Sequence, residues 1–148
     1  MARKSFAKAQ EGIAAIEFAI LGAVLCLIVV GVGDLGLGFY SYMQVQNSAQ
    51  AGAQYAAVHG YNSSSITSAV TSATSVSGIN ATPAPTSFCG CVSGNTVATA
   101  TCGSVCSNGM TAGTYVQVSA ARTYSTLISY PGFPASYNQT ATSTVRIQ

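Results

Sequence analysis

The stretch GIAAIEFAILGAVLCLIVVGV, residues 12–32, decides how the rest of the chain is read. No charge lies between Phe18 and Gly33. Counted from Ile13, the run is long enough to cross ~30 Å of hydrocarbon as a helix rising ~1.5 Å per residue. Its single charge is Glu17. A carboxylate inside a membrane span costs on the order of 3 kcal/mol, which makes an intramembrane acid a functional candidate by default. The plain alternative is an interfacial acid that reaches water near the cytoplasmic boundary.

The flanks orient the span. Arg3, Lys4 and Lys8 precede it, and no Lys or Arg follows until Arg122. Positive charge stays inside, so the N-terminus is expected in the cytoplasm and everything beyond about residue 34 outside. A secretory signal peptide shares the basic leader and the apolar core. The length of this run, the acid within it and the lack of a small-x-small cleavage site argue against one.

Composition narrows the function classes. Charged residues make up only 5% of the 148, against roughly 25% in a soluble domain. Removing residues 1–12 would leave two acids, Glu17 and Asp34, against two bases, Arg122 and Arg146. The positive excess therefore belongs to the leader and does not describe a nucleic-acid surface. One His and three acids, with no phosphate loop, no Ser/His/acid set and no paired carboxylates, leave no catalytic residues to name. The sequence calls for no cofactor.

The chain following the span reads as a small α+β domain. Ala15, Ala19 and Ala23 recur at fourfold spacing, with Gly22 and Cys26 beside them, a small-residue face suited to close helix packing. Gly31, Gly33, Gly36 and Gly38 surround Asp34. Each Gly costs a helix on the order of 1 kcal/mol, so this segment is expected to bend or melt locally. Phe39, Tyr40 and Tyr42 look like an interfacial aromatic belt. Val45, Ala49, Gly52, Ala53 and Ala56 form a thin apolar stripe that continues the helix to about residue 58 and suits packing on a sheet or a neighbouring subunit. Gly60 and Asn62 are the expected stop. His59 stands alone and is expected at a solvated helix end.

Ile66, Ala69, Val70 and Ala73 predict a short second helix within 63–77, and Pro83 and Pro85 a loop over 78–88. Thr96 to Thr99 is a short strand candidate within a cysteine loop spanning 89–109. Tyr115 to Tyr124 alternates and predicts a strand. Pro131, Gly132 and Pro134 predict a turn, and Asn138 to Ile147 a second strand antiparallel to the first. Two strands alone are marginal and need a helix face and staples.

Cys89, Cys91, Cys102 and Cys106 form the external cysteine cluster, and Cys26 is a packing residue within the span. An even count in an exported, loop-rich segment reads as two disulfides. Pairing Cys89 with Cys91 needs a very tight ring, which leaves a crossed or a nested pattern. The rival is a four-thiolate zinc site, disfavoured by the oxidising compartment. No metal is expected.

The pattern of basic leader, Gly12, apolar residues, Glu17 and Phe18 resembles a prepilin processing site of the type IV filament superfamily. Ala15-Ile16-Glu17-Phe18-Ala19, then Gly33-Asp34-Leu35-Gly36, then the Ala-rich 49–57 are similar to the TadE-like minor pilins and pseudopilins of tight-adherence pili. The likeness spans about residues 5–60, although Leu35-Gly36-Leu37 stands where family members often carry an Arg.

The resemblance implies that a prepilin peptidase cuts between Gly12 and Ile13. Glu17 would then pair with the freed amine of Ile13, on its own or a neighbouring subunit. It also implies partial unwinding at the glycine-rich hinge on assembly. The implied layout is a cleaved leader over 1–12, a helix over 13–60 that spans the membrane to about 34, and a periplasmic or extracellular α+β domain over 61–148. The implied partners are the peptidase, other pilin subunits, an inner-membrane assembly platform and membrane lipid. The implied location is the bacterial inner membrane and then the pilus or cell surface.

A minor, initiating or tip subunit is the first expectation. Major subunits of this branch are usually much shorter than the chain that follows Gly12, and a type II secretion pseudopilin is the near relative. A different class of reading is an uncleaved, membrane-anchored periplasmic module whose cysteine loop recognises a surface.

Overall fold

The computed structural model describes residues 3–128, 132 and 134–147, with side chains from residue 14 onward. The element order is helix α1 (Arg3–His59), helix α2 (Ser63–Ser72), then strands β1 (Thr86–Ser93), β2 (Thr96–Thr99), β3 (Gly113–Ser125) and β4 (Ser136–Arg146). The chain is α+β: one long helix, one short helix and a four-stranded antiparallel sheet in the order β2-β1-β3-β4. Its contacts divide it into two units, residues up to Leu37 and residues from Gly38 on.

In the second unit the thin apolar stripe finds its partner. Val45, Ala49, Ala53 and Ala56 are buried with Ile66 and Val70 of α2 and with Val116, Val118 and Ala120 of β3. Helical spacing on α1 and every-second-residue spacing on β3 put these side chains on facing surfaces. The stripe is thin because the approach is close. A Cβ added at Gly52 would lie 2.5 Å from a Val70 methyl and 2.8 Å from a Val118 methyl.

Local chemistry sets the helix ends. Gly60 takes φ +77° beyond the end of α1, and its N–H donates to the carbonyl of Ala56; a left-handed residue at this place is the usual glycine stop. Asn62 caps the next helix, its side-chain oxygen accepting from the backbone N–H of Ser65 at 3.0 Å. α2 ends at Ser72, short of the expected 77. Only Ile66 and Val70 of α2 are buried, and Ala73 is the exposed C-cap.

The two expected strands are present and pair antiparallel in unbroken register from Tyr115↔Arg146 to Ser125↔Ser136. Of the expected turn between them, Pro131 lies outside the described residues. β2 falls where a short strand was expected. The correction is β1: residues expected as loop and cysteine loop form an eight-residue strand, paired with β2 on one side and β3 on the other. Thr, Ser, Cys and Gly fill six of its eight positions and leave only Phe88 and Val92 as large apolar residues, so hydrophobic alternation did not reveal it. Phe88 stacks on Tyr115 with ring centroids 5.9 Å apart.

The four external cysteines form two disulfides, Cys89–Cys102 and Cys91–Cys106. Of the two patterns left open, this is the crossed one. All four sulfurs are consumed in these bonds, which removes the zinc alternative. The bonds hold the 100–112 segment against β1.

Candidate functional site: the apolar helix and its anchor on the sheet

The described residues of the first unit, from Arg3 on, are helical. Residues 14–33 rise about 30 Å at ~1.5 Å each, the thickness of a hydrocarbon layer. Nearly every side chain here is exposed: Phe18 is 79% accessible, Leu21 68% and Val32 65%. A helix that is apolar all round belongs in a protein core or in lipid. No part of the most apolar stretch is buried within the chain. By length and composition, this helix can cross a membrane.

Helical periodicity sorts the candidate residues on this surface. At about 100° per residue, Ala15, Ala19 and Ala23 share one face with Gly22 and Cys26, all of them exposed or half-exposed. Glu17 is also exposed and lies on nearly the opposite face, with Phe18 between the two. The small-residue face and the acid therefore cannot both meet one neighbouring helix. A subunit using both would contact two neighbours. Gly12 and Ile13 lie within the helical span of α1, and their side chains are outside the described residues.

The four glycines at the outer end do not behave alike. α1 is continuous through them. A Cβ added at Gly33 or Gly36 would meet nothing within 4 Å. At Gly38 it would stand 2.5 Å from the Tyr137 hydroxyl and 3.8 Å from a Tyr124 ring carbon. Gly38 is thus a close-approach glycine within the second unit, whereas Gly33 and Gly36 have no packing reason in a single copy. Asp34, among them, is 6% exposed.

At Gly38 begins a polar anchor that fixes α1 to the sheet. Arg122 of β3 donates from Nη1 to the Ser41 hydroxyl at 2.7 Å. Ser41 donates to Oε1 of Gln139 on β4 at 2.6 Å, and Gln139 donates from Nε2 to the Gly38 carbonyl at 2.9 Å. Ser41 and Gln139 are 2% and 5% exposed. Buried polar groups require such partners, and a bond from a charged donor is stronger than a neutral one. Sequence reasoning did not single out Ser41, Arg122 or Gln139. The available signal was parity: Arg122 continues the core-facing series Val116, Val118, Ala120, where an unpartnered charge would be costly.

Phe39 and Tyr40 remain exposed and Tyr42 is 38% exposed. His59 is exposed and stacks on Tyr55. Among the described residues, no cluster of His, Cys, Asp and Glu could hold a metal ion.

A family model described as TadE-like protein matches residues 12–54. The matched segment begins at Gly12, takes in the whole apolar run and the anchor position Ser41, and ends in the Ala-rich stripe. No curated protein and no solved structure gives a significant match.

Proposed function

Because residues 12–54 match the TadE-like family, the family the sequence itself resembles, we propose that this chain is a pilin-like subunit associated with a tight-adherence pilus. It is processed between Gly12 and Ile13 and held in the inner membrane by the apolar helix until assembly. Its role is structural. The finer assignment is a minor subunit acting in assembly, initiation or the tip, and hence in surface adhesion.

The observation that carries this reading is the uncovered apolar surface from Ala14 onward, two residues after Gly12. Lipid covers it in the membrane, and neighbouring pilin helices cover it in a filament. The freed amine of Ile13 and the Glu17 carboxylate, four residues on, form the charge pair that sets subunit register in a low-dielectric setting. Gly12 has a local purpose as well. A peptidase binds extended backbone, and a glycine lowers the cost of unwinding α1 there by about 1 kcal/mol.

The test is the N-terminal sequence and intact mass of the protein from its native membrane, with and without its prepilin peptidase. A peptidase-dependent start at Ile13 is expected. A start at Met1 in both strains refutes the reading and favours the anchored periplasmic module instead.

A further inference from the structure

Among the described residues, the antiparallel sheet has two unpaired edges, β2 and β4. Unpaired edges are liabilities, and proteins blunt them with Lys, Pro, bulges or short strands. β4 carries none of these. It runs for eleven residues with no Pro, no Lys and no break in register, and its only charge is Arg146 at the far end. The N–H of Ile147 donates to the carbonyl of Thr114. By alternation, the backbone groups of Asn138, Thr140, Thr142 and Thr144 point away from β3.

We propose that the β4 edge is an assembly surface that takes the β2 edge of a second copy of this chain, continuing the sheet from subunit to subunit. Strand direction selects this occupant. Gly38 lies against Tyr124, Ser41 bonds Arg122, and Gly52 lies against Val118. As α1 advances from 38 to 52, β3 runs back from 124 to 118. Fourteen helical residues rise about 21 Å and six strand residues span about 20 Å, so α1 and β3 are close to antiparallel. β4 therefore runs with α1 and β2 runs against it.

Copies in a filament that grows in one direction carry this unit, and with it the helix from Gly38 on, in the same direction. This step rests on the pilin-like reading above. Antiparallel β4–β4 pairing would set two helices in opposite directions and is excluded. β4 against a neighbour's β2 is antiparallel with every helix aligned. Such a contact is heterologous and propagates, as a filament requires.

The flanking surface fits the same occupant. Tyr42, Gln46 and Gln50 of α1, with Thr140, Thr142 and Ser143, line a groove of about 300 Å³ beside the β4 edge. On the neighbour, the β2 side chains on the α1 side of the sheet are Thr96 and Ala98. Both are exposed and small. The second unit contains no acidic residue, so backbone pairing and shape, not charge, would select the partner.

The experiment uses full-length protein in its own membrane, with Cys26→Ser to remove the free thiol. One tagged copy carries Thr140→Cys and a differently tagged copy carries Thr99→Cys, and a short bis-thiol reagent joins them. A mixed dimer is expected, and neither copy alone should link to itself. Adding Thr144→Pro to the first copy removes an outward N–H while leaving the β3 ladder intact. It should reduce the mixed dimer at least tenfold while the domain stays protease-resistant.

Self-linking of the Thr140→Cys copy, no linkage in protease-resistant protein, or a mixed dimer insensitive to Thr144→Pro each overturns the proposal. The N-terminus read on the same sample separates the two inferences. A start at Ile13 without linkage refutes only the edge contact, and a start at Met1 with linkage refutes only the processing.

Discussion

Gly52→Ala tests the packing at the heart of the second unit, because intrinsic propensity and tertiary contact predict opposite signs. In a free helix this change stabilises by 0.5–1 kcal/mol, roughly. Here the new methyl would stand 2.5 Å from a Val70 methyl and 2.8 Å from a Val118 methyl. Ordinary contact between carbons is about 3.5–4.0 Å. Both neighbours are fully buried, and the methyl is fixed to the backbone, so α1 itself must move about 1 Å off both α2 and the sheet. Overpacking of this kind costs typically 1–3 kcal/mol, about. The net expectation is a loss of about 1–2 kcal/mol, or roughly 5–10 °C in Tm for a domain of this size. The assay is thermal unfolding of the full chain in detergent, followed by tyrosine near-UV circular dichroism. Val70→Ala alone leaves a cavity and destabilises. In the double variant the methyl occupies part of that cavity, so the two losses should fall short of additive by about 1 kcal/mol. A Gly52→Ala protein more stable than its parent, or a strictly additive double variant, refutes the reasoning.

Ser48 is fully buried and its hydroxyl has no hydrogen-bond partner among the described residues; Ser48→Ala should raise stability by about 1 kcal/mol in the same melt. Ser41→Ala leaves the Arg122 guanidinium and the Gln139 carbonyl each short of a bond, and should cost about 2–3 kcal/mol, read as earlier unfolding. Removing either disulfide as a Cys→Ser pair opens a loop of 13 or 15 residues. Each should cost about 3 kcal/mol, seen as lower Tm and faster proteolysis within 86–112. Gly33→Ala with Gly36→Ala should leave the melt of the second unit unchanged while reducing pilus number, counted by microscopy, if the segment has to bend on assembly.

What was legible in the sequence follows from how strongly each element depends on its own residues. The apolar helix and the strands from Tyr115 and Asn138 depend on hydrophobic runs and alternation, which local sequence carries. β1 depends on partners instead. It is held by β2, by β3 and by two disulfides, and its Ser, Cys and Gly residues give no period to read. α2 was read too long because Ala69 and Ala73 extend the apolar spacing, while the contacts that stabilise the helix stop at Val70. The anchor of Arg122, Ser41 and Gln139 joins positions up to 98 residues apart. Only the odd placement of an Arg on a core-facing strand position hinted at it.

The glycine-rich segment shows why residue type alone could not say where this helix is free to bend. Gly31, Gly33, Gly36 and Gly38 carry the same propensity cost, and read from the sequence they form one flexible block. Gly38 differs by its surroundings: its carbonyl accepts from Gln139, and a side chain there would strike Tyr137. A side chain there would have to displace the end of the Tyr137 ring from the helix surface. Gly33 and Gly36 meet no such neighbour and keep the conformational freedom that a side chain would remove. Bending, where it occurs, therefore belongs before Gly38, and the anchor at Ser41 marks where α1 becomes part of the domain. A filament machine that draws on this helix would deform the segment with free glycines and leave the helix from Gly38 onward, with the β4 edge beside it, as a preformed surface for the next subunit.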